Sequence, residues 1–291
     1  MPQPNGARPY ALEMGSVYEQ AMKELARPFP SVKLPNWPGF NMLTGGFRVR
    51  EYSILCGPTG CGKTTFLANI SAQLLIQGVP HFVMSVETGH TDYMKRVISA
   101  IAKVDVNTGD PVPEEIAARI HQQYGDMFLS GKIQFSLYDN RVPVEQLKAD
   151  LLWMLKHKGC KIAFIDNLNF FMDPTDDRNW NQEMDRVTHD LIMMTKQNDL
   201  HPVMVMHPKK TDGGRVLHEF DIKGSSTAVQ EAHNIWLLNP PDADSLKNGD
   251  LRRSDRELTF KKMRRRGKYS GHKLVFECQE ATYSEAKVCP P

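Results

Sequence analysis

The sequence predicts an α/β fold with a mostly parallel, twisted sheet, helices on both faces and antiparallel strands at one edge. Short apolar runs alternate with helical stretches through the middle of the chain, which is typical of parallel strands joined by helical crossovers. The last three apolar runs are separated by short polar segments, which indicates antiparallel strands. The chain has 291 residues, 41% of them hydrophobic and 24% charged, which is enough for one large core.

The N-terminal region is predicted to be a loose arm followed by one short helix. Residues 1–12 contain Pro and Gly and lack the apolar segment of a signal peptide. Apolar residues then recur at helical spacing, which predicts a helix over 17–26. Ser16 and Glu19 fit a capping box at its start, and Pro28 marks its end. The apolar face of this helix has two candidate partners, its own domain and a neighbouring subunit.

The rest of the chain is predicted to be one α/β domain. Apolar runs predict strands at 52–56, 81–86, 161–165, 202–206, 234–238, 257–262 and 273–277. Helical stretches are predicted at 63–77, 91–103, 113–123, 143–157 and 180–198. We therefore divide the chain into an arm with its helix (1–34), an α/β domain (35–279) and a C-terminal tail (280–291).

Cysteine usage and apolar content indicate the cellular setting. Five cysteines without a C-x-x-C pair argue against a disulfide scaffold or a zinc site and fit a reducing compartment. No stretch approaches the roughly 18 apolar residues that a membrane span needs. We expect an intracellular protein without a membrane partner, in the cytoplasm of a bacterial or phage-infected cell, with the mitochondrial matrix as the alternative.

The stretch GPTGCGKTT predicts a nucleoside triphosphate site. It matches the pattern G-x-x-x-x-G-K-[ST], directly after a predicted strand and at the start of a predicted helix. Gly57 and Gly62 let the backbone turn back and present consecutive N–H groups to phosphate oxygens. Lys63 can reach the outer phosphates, and Thr64 can ligate Mg²⁺. The predicted nucleotide-binding residues are Gly57, Pro58, Thr59, Gly60, Cys61, Gly62, Lys63, Thr64 and Thr65.

Two carboxylates are predicted to complete this site. Asp166 ends the apolar run KIAFI and would deliver a carboxylate to the same edge of the sheet, so Thr64 and Asp166 are the predicted metal ligands. Asn167 follows, so the position at which many ATPases carry a glutamate has no carboxylate. Glu87 follows the run HFVMSV and is the predicted group that activates water, provided that its strand lies beside the phosphate-loop strand.

The order of these motifs resembles a RecA-type motor core, and residues 204–238 resemble the DnaB-type hexameric replicative helicases. His207 matches the polar residue that senses the terminal phosphate in that family, in particular in the branch of phage primase-helicases and mitochondrial Twinkle. The stretch DIKGSS at 221–226 matches the D-[IL]-[RK]-G-S turn of the family. Lys262, Arg264 and Gly267 match its K-x-R-x-x-G pattern. The resemblance covers about residues 35–278.

The resemblance implies an NTP-dependent DNA helicase that uses ATP or dTTP with Mg²⁺ and unwinds duplex DNA as a ring. A hexamer and 5′→3′ movement along single-stranded DNA follow from the family alone. It also implies that Lys262 and Arg264 enter the nucleotide site of a neighbouring subunit, where such an arginine raises the rate about 10³–10⁵-fold. Arg265 is the alternative finger, since three arginines occur in a row. No primase domain precedes the core, so we expect no priming, and a separate primase or polymerase as a partner.

A basic loop predicts the DNA contact. Lys209, Lys210, Arg215 and Lys223 occur in a stretch whose glycines give flexibility, and they can pair with backbone phosphates without reading sequence. The tract 252–273 holds ten Lys and Arg residues, and part of this charge is a second candidate for nucleic acid.

Two other functions stay open at this point. A RecA- or KaiC-like ATPase would form filaments or rings without unwinding, but the helix before the core favours a helicase. A nucleotide-gated loader or scaffold would lack productive turnover, which Glu87, His207 and the basic late strand argue against.

Overall fold

The computed structural model describes residues 14–26, 31–107, 109–138, 142–171, 180–209, 217, 221–222 and 226–291. Its helices are α1 (Met14–Ala26), α2 (Pro38–Thr44), α3 (Lys63–Ile76), α4 (His90–Ala102), α5 (Glu114–Phe128), α6 (Val144–Lys158), α7 (Trp180–Gln197), α8 (Ser226–Glu231) and α9 (Ala243–Lys247). Its strands are β1 (Ser31–Val32), β2 (Phe47–Arg48), β3 (Ser53–Cys56), β4 (His81–Ser85), β5 (Ile133–Phe135), β6 (Ile162–Asp166), β7 (His201–Met206), β8 (Asn234–Asn239), β9 (Arg256–Met263), β10 (Lys273–Gln279) and β11 (Thr282–Cys289).

The main sheet has nine strands in the order β11-β10-β9-β8-β3-β7-β6-β4-β5. Pairing is parallel from β8 through β5 and antiparallel from β8 to β11. The α/β prediction with antiparallel strands at one edge is therefore confirmed. All seven predicted strands lie in this sheet, and the five predicted helices are present with shifts of a few residues at their ends.

The central strands are buried on both sides because helices cover both faces of the sheet. In β3 the side chain of Leu55 packs into one core cluster, whereas Ile54 and Cys56 pack into the other, as the two-residue period of a strand requires. The first cluster contains the aromatic side chains of α2, α3 and β8, and the second contains the apolar faces of α6 and α7. This packing fixes the ends of β3, β6 and β7, which carry the site.

Two expectations about the termini differ from the structure. The segment 280–291 is not a tail, because β11 pairs with β10 and its Glu285 side chain accepts hydrogen bonds from the backbone of Gly39 and Phe40. Alternating polar residues in β11 hide this strand from a search for apolar runs. Ser16 does not cap α1, since the helix begins at Met14, and a cap is worth only about 1 kcal/mol. The division into domains otherwise stays a prediction.

The position of β4 also differs from the arrangement on which the role of Glu87 was based. β6 and β7 lie between β4 and the phosphate-loop strand β3, so the two strands are not neighbours. Strand order depends on long-range packing, which local patterns do not encode. Among the described residues, no helix combines the length and apolar character needed to cross a membrane.

Candidate active site

The phosphate loop follows the last residue of β3, at the C-terminal edge of the parallel strands. A Cβ atom on Gly57 would overlap the carbonyl oxygen of Leu238 and lie 2.7 Å from the sulfur of Cys61. Gly62 has a φ of 92°, and a Cβ atom there would lie 2.6 Å from the hydroxyl of Tyr283. Both positions therefore require glycine. The loop leads directly into α3, whose first N–H groups have no intrahelical acceptor and suit an anion.

The Lys63 side chain is folded into this loop. It is 7% exposed, and its Nζ donates to the carbonyl oxygens of Gly57 at 2.9 Å and Pro58 at 3.0 Å. Neutral carbonyls are weaker acceptors for an ammonium group than phosphate oxygens. A triphosphate entering the loop would therefore offer this buried cation a stronger partner.

The side chains of Thr64 and Asp166, the two predicted metal ligands, are in contact. The Thr64 hydroxyl donates to Oδ2 of Asp166 at 2.7 Å, and Asp166 is 2% exposed at the end of β6. Burial raises the pKa of Asp166, and the nearby Glu87 adds to the rise, while the Thr64 hydrogen bond and Lys63 oppose it. A hydroxyl and a carboxylate are oxygen ligands of the kind that Mg²⁺ prefers.

Three polar residues follow the adjacent strands β7, β6 and β4. Nδ2 of Asn167 lies 3.0 Å from Oε2 of Glu87 and 3.0 Å from Nε2 of His207. Nε2 of His207 lies 3.8 Å from Oε2 of Glu87. Glu87 thus reaches the site although its strand is not beside β3, because β4 pairs with β6.

Lys63, Thr64, Glu87, Asp166 and His207 line one cleft of about 460 Å³, a size that suits a nucleotide. Sequence reasoning missed six other lining residues, which come from α4, the segment after it, the turn before β9, and β9 to β11: Arg96, Asp105, Ser254, Arg256, Cys278 and Tyr283. Nη1 of Arg96 donates to the Thr65 hydroxyl at 2.8 Å, and Nε of Arg256 donates to the carbonyl oxygen of Cys61 at 2.5 Å. Arg256 belongs to the basic tract 252–273. The charge of this tract indicated a contact with nucleic acid and not a place in the nucleotide cleft.

Lys262 and Arg264 lie at the opposite edge of the sheet from the phosphate loop. Met263 pairs with Asn234, the first residue of β8, and Asn234 pairs with Ser53, the first residue of β3. Nζ of Lys262 and Nη2 of Arg264 donate to the carbonyl oxygen of Gln230 near the end of α8, at 2.5 and 3.0 Å. Neither side chain contributes to the nucleotide cleft of its own chain.

Arg265 has a different partner from Arg264. Its Nε lies 2.5 Å from Oε1 of Glu51, whose side chain is 5% exposed. Burial raises the pKa of Glu51 against the opposing charges of Arg265 and Arg48. The charge of Arg265 is therefore held by a buried carboxylate of the same chain.

The predicted DNA loop leaves the C-terminal edge after β7. Lys209 is exposed, and its N–H donates to the carbonyl oxygen of Asp221 at 2.5 Å, next to a bridge between Pro208 and Ile222. The buried side chains of Leu217 and Ile222 anchor this excursion to the domain. The other three predicted DNA-binding residues, Lys210, Arg215 and Lys223, lie outside the described residues.

A glycine-rich loop between a central parallel strand and a helix, with a Thr–Asp pair beside it, defines a P-loop nucleoside triphosphatase of the RecA-like class. The family described as the DnaB-like helicase C terminal domain matches residues 36–285. The chain belongs to this family and is the NTP-hydrolysing domain of a replicative helicase. The predicted superfamily, enzyme class and helicase function are therefore confirmed, whereas the branch within the superfamily stays a prediction.

Solved structures support the same fold. One that is described as an ATPase domain is 16% identical with a TM-score of 0.75, and the match covers 94% of this chain and 99% of that one. A DnaB-like replicative helicase, described with its interactions with primase, also has a TM-score of 0.75 at 16% identity, covering 94% and 69%. The KaiC-like protein PH0186 from Pyrococcus horikoshii is 19% identical with a TM-score of 0.57, covering 89% and 100%.

Proposed function

We propose that this domain works as a ring that moves along single-stranded DNA and separates duplex. The observation that carries the proposal is the separation of Lys262 and Arg264 from the nucleotide cleft of their own chain. Arranged head to tail, copies of the chain would bring the basic turn of one to the cleft of the next, and such heterologous contacts close into rings. The family supports a hexamer and 5′→3′ movement.

The substrate of the cleft is ATP or dTTP with Mg²⁺. The glycine positions that exclude a Cβ atom and the buried Lys63 fit a phosphate chain, and the Thr64–Asp166 pair fits a magnesium ion. The metal, when bound, would neutralise charge on the phosphate oxygens. Arg256 and Tyr283 line the same cleft beside the phosphate loop and are further candidates for contact with the nucleotide.

Hydrolysis is in-line attack of water on the terminal phosphate. Glu87 would orient this water, and Lys63 would stabilise the charge that develops on the phosphate oxygens. His207 would sense the terminal phosphate. Because His207 directly precedes the loop that starts at Pro208, a change at the phosphate would be passed to the DNA contacts of that loop.

Arg264 is the finger that acts on the neighbouring site, together with Lys262. Arg265 is paired with buried Glu51, whereas Arg264 donates to a neutral carbonyl that it can exchange for a phosphate. This difference favours Arg264 over Arg265.

The apolar face of α1 would hold the ring together by packing on a neighbouring copy. Val17, Tyr18, Met22 and Leu25 are between 47% and 74% exposed in the single chain. An apolar groove lined by Ile98, Val112, Ile120 and Phe128 lies between α4 and α5 and suits such a helix.

DNA would pass the basic loop through backbone contacts of Lys209, Lys210, Arg215 and Lys223. A primase or a polymerase is the further partner, since a DnaB-like relative interacts with primase. The setting would be the replication machinery of a bacterial or phage-infected cell or of a mitochondrion.

A forked-duplex assay tests the proposal. The wild-type chain should displace a strand with ATP or dTTP and single-stranded DNA should stimulate its hydrolysis, while Glu87→Gln should lose both. Glu115→Gln, an exposed glutamate in the first turn of α5, is the matched control and should behave as wild type. Turnover without strand displacement would support the KaiC-like alternative, and negligible phosphate release would support the loader.

A further inference from the structure

Asn167 lies between the two side chains that the proposed mechanism couples. It directly follows β6, which lies between β4 and β7 in the sheet. Glu87 comes two residues after the end of β4, and His207 comes one residue after the end of β7. Sheet order therefore puts the Asn167 side chain in the middle of this edge, with Glu87 on one side and His207 on the other.

The Asn167 amide has one favourable orientation in this position. Its Nδ2 atom is 3.0 Å from a carboxylate oxygen of Glu87. If the amide were turned over, its carbonyl oxygen would face that carboxylate, and two acceptors would meet without a proton between them. With Nδ2 toward Glu87, the second amide hydrogen points to Nε2 of His207, also at 3.0 Å. Nε2 of His207 accepts this hydrogen bond in the tautomer that carries its proton on Nδ1.

Glu87 depends on this contact for its position. Its side chain is 60% exposed, so packing does not restrict the carboxylate. Among the described residues, Asn167 provides its one hydrogen bond. Since the position of the water-orienting group decides the geometry of attack, loss of this hydrogen bond should affect catalysis more than nucleotide binding.

We infer that Asn167 is a positioning residue for hydrolysis, whose amide holds the Glu87 carboxylate and links it to His207. This inference rests on the roles proposed above for Glu87 and His207. An amide cannot accept a proton near neutral pH, so Asn167 acts through Glu87 and not as a base. Because His207 leads into the loop beginning at Pro208, the link also connects the DNA-contacting loop with the group that orients water.

Two variants at this position test the inference in the whole chain. Asn167→Ala should lower kcat of DNA-stimulated hydrolysis about 10- to 100-fold, with KM for the nucleotide changed less than about threefold. The ratio of DNA-stimulated to unstimulated turnover should also fall. Asn167→Asp keeps the shape but puts an oxygen beside Glu87, so its kcat should be lower still. Asn198→Ala is the matched control, since its amide donates to the carbonyl oxygen of Met194 near the end of α7.

A double-mutant cycle with Glu87→Gln separates this inference from the proposed function. If Asn167 acts through Glu87, Asn167→Ala should have little further effect on the residual turnover of Glu87→Gln. Effects that multiply, or wild-type kcat and DNA stimulation in Asn167→Ala, would overturn the inference and leave the role of Glu87 intact. Full turnover by Glu87→Gln itself would instead reject the proposed function. Affinity for a fluorescent nucleotide analogue identifies any variant that fails to fold.

Discussion

The parallel strands carry polar residues of different kinds at their two ends. We call the side of the sheet at which these strands end its C-terminal edge, and the side at which they begin its N-terminal edge. At the C-terminal edge, polar side chains contact one another: Thr64 with Asp166, and Asn167 with Glu87 and His207. At the N-terminal edge, the cations at the end of β9 and in the turn after it contact backbone carbonyls or a buried carboxylate of the same chain. The C-terminal edge therefore has one connected site. The cations at the N-terminal edge lie away from the nucleotide cleft of their own chain.

In the ring that we propose, this difference would divide the reaction between neighbouring copies of the chain. Binding and orientation of the triphosphate need residues of one edge, which a single chain supplies. In the proposed ring, charge stabilisation by Arg264 would need the other edge of a second chain. A ring of such chains would have as many complete sites as interfaces, and every site would report on two subunits.

The most severe test of this division is Arg264→Ala. We expect DNA-stimulated hydrolysis to fall about 10³-fold or more, because a guanidinium at the transferred phosphoryl group contributes about 10³–10⁵ in rate. Arg266→Ala is the control within the same turn, since Arg266 donates to the carbonyl oxygen of Met42. Steady-state phosphate release measures both.

Mixing subunits sharpens the same prediction. Lys63→Ala and Arg264→Ala chains should each be inactive alone, but a mixture should recover measurable turnover. An interface with Lys63 from one chain and Arg264 from the other has both residues intact. Full turnover by Arg264→Ala, or no recovery in the mixture, would mean that the two edges do not share a site.

Thr64→Val tests the connected edge with a smaller change. This variant keeps the shape but removes the hydroxyl that contacts Asp166. We expect kcat to fall about 10²–10³-fold, as for other single groups that stabilise charge in a transition state. Thr64→Ser should restore most of the activity and more of it at high Mg²⁺. Equal kcat values for the valine and serine variants would exclude a role for the hydroxyl.

At the C-terminal edge, the residues of the site were predictable from sequence, but most of the contacts between them were not. The phosphate loop and Asp166 are local patterns, because a strand end and a helix start fix their geometry over a few residues. The contact of Glu87 with Asn167 was not predictable, since it requires β4 to pair with β6. From sequence, Asn167 indicated only that the position after Asp166 has no glutamate. In the structure its amide contacts both Glu87 and His207.

In the antiparallel part of the sheet, one strand and one site residue were not predictable from sequence. Strands β8, β9 and β10 were predictable from their apolar residues, whereas β11 was not, because polar residues alternate along it. Tyr283 of this strand reaches the nucleotide cleft next to Gly62 only through packing of distant segments. The choice between Arg264 and Arg265 likewise depended on buried Glu51, 214 residues earlier in the chain.

Arg265→Ala should reduce stability and spare catalysis, in contrast to Arg264→Ala. It leaves the carboxylate of Glu51 buried without its partner, which we expect to lower the free energy of unfolding by about 1–3 kcal/mol, given the half-exposed arginine. Urea unfolding measures the loss, and Arg253→Ala is the control with an exposed arginine of the same tract. Adding Glu51→Gln should recover part of the stability. Loss of turnover in Arg265→Ala under conditions in which the variant stays folded would reassign the finger to Arg265.

The two histidines at the ends of β7 give the smallest predicted effect. His201 is buried at the N-terminal edge, with Nε2 2.9 Å from the Ser53 hydroxyl, whereas His207 lies in the cleft. Burial lowers the pKa of His201 to about 4, and it does the same for His81 at the start of β4. In the unfolded chain the imidazole pKa is about 6.5.

Because the folded-state pKa values of His201 and His81 are both lowered, the stability that these two neutral rings contribute is complete above pH 6.5. It is lost as the pH falls toward 4. At pH 5 the loss is about 2 kcal/mol for each ring. His201→Gln should remove one ring's share, so its free energy of unfolding should fall less steeply between pH 7 and pH 5 in urea titrations, while hydrolysis at pH 7 stays near wild type. Parallel pH profiles for the two proteins would mean that His201 is not held neutral, and lost hydrolysis would mean that the two edges are not as separate as their contacts indicate.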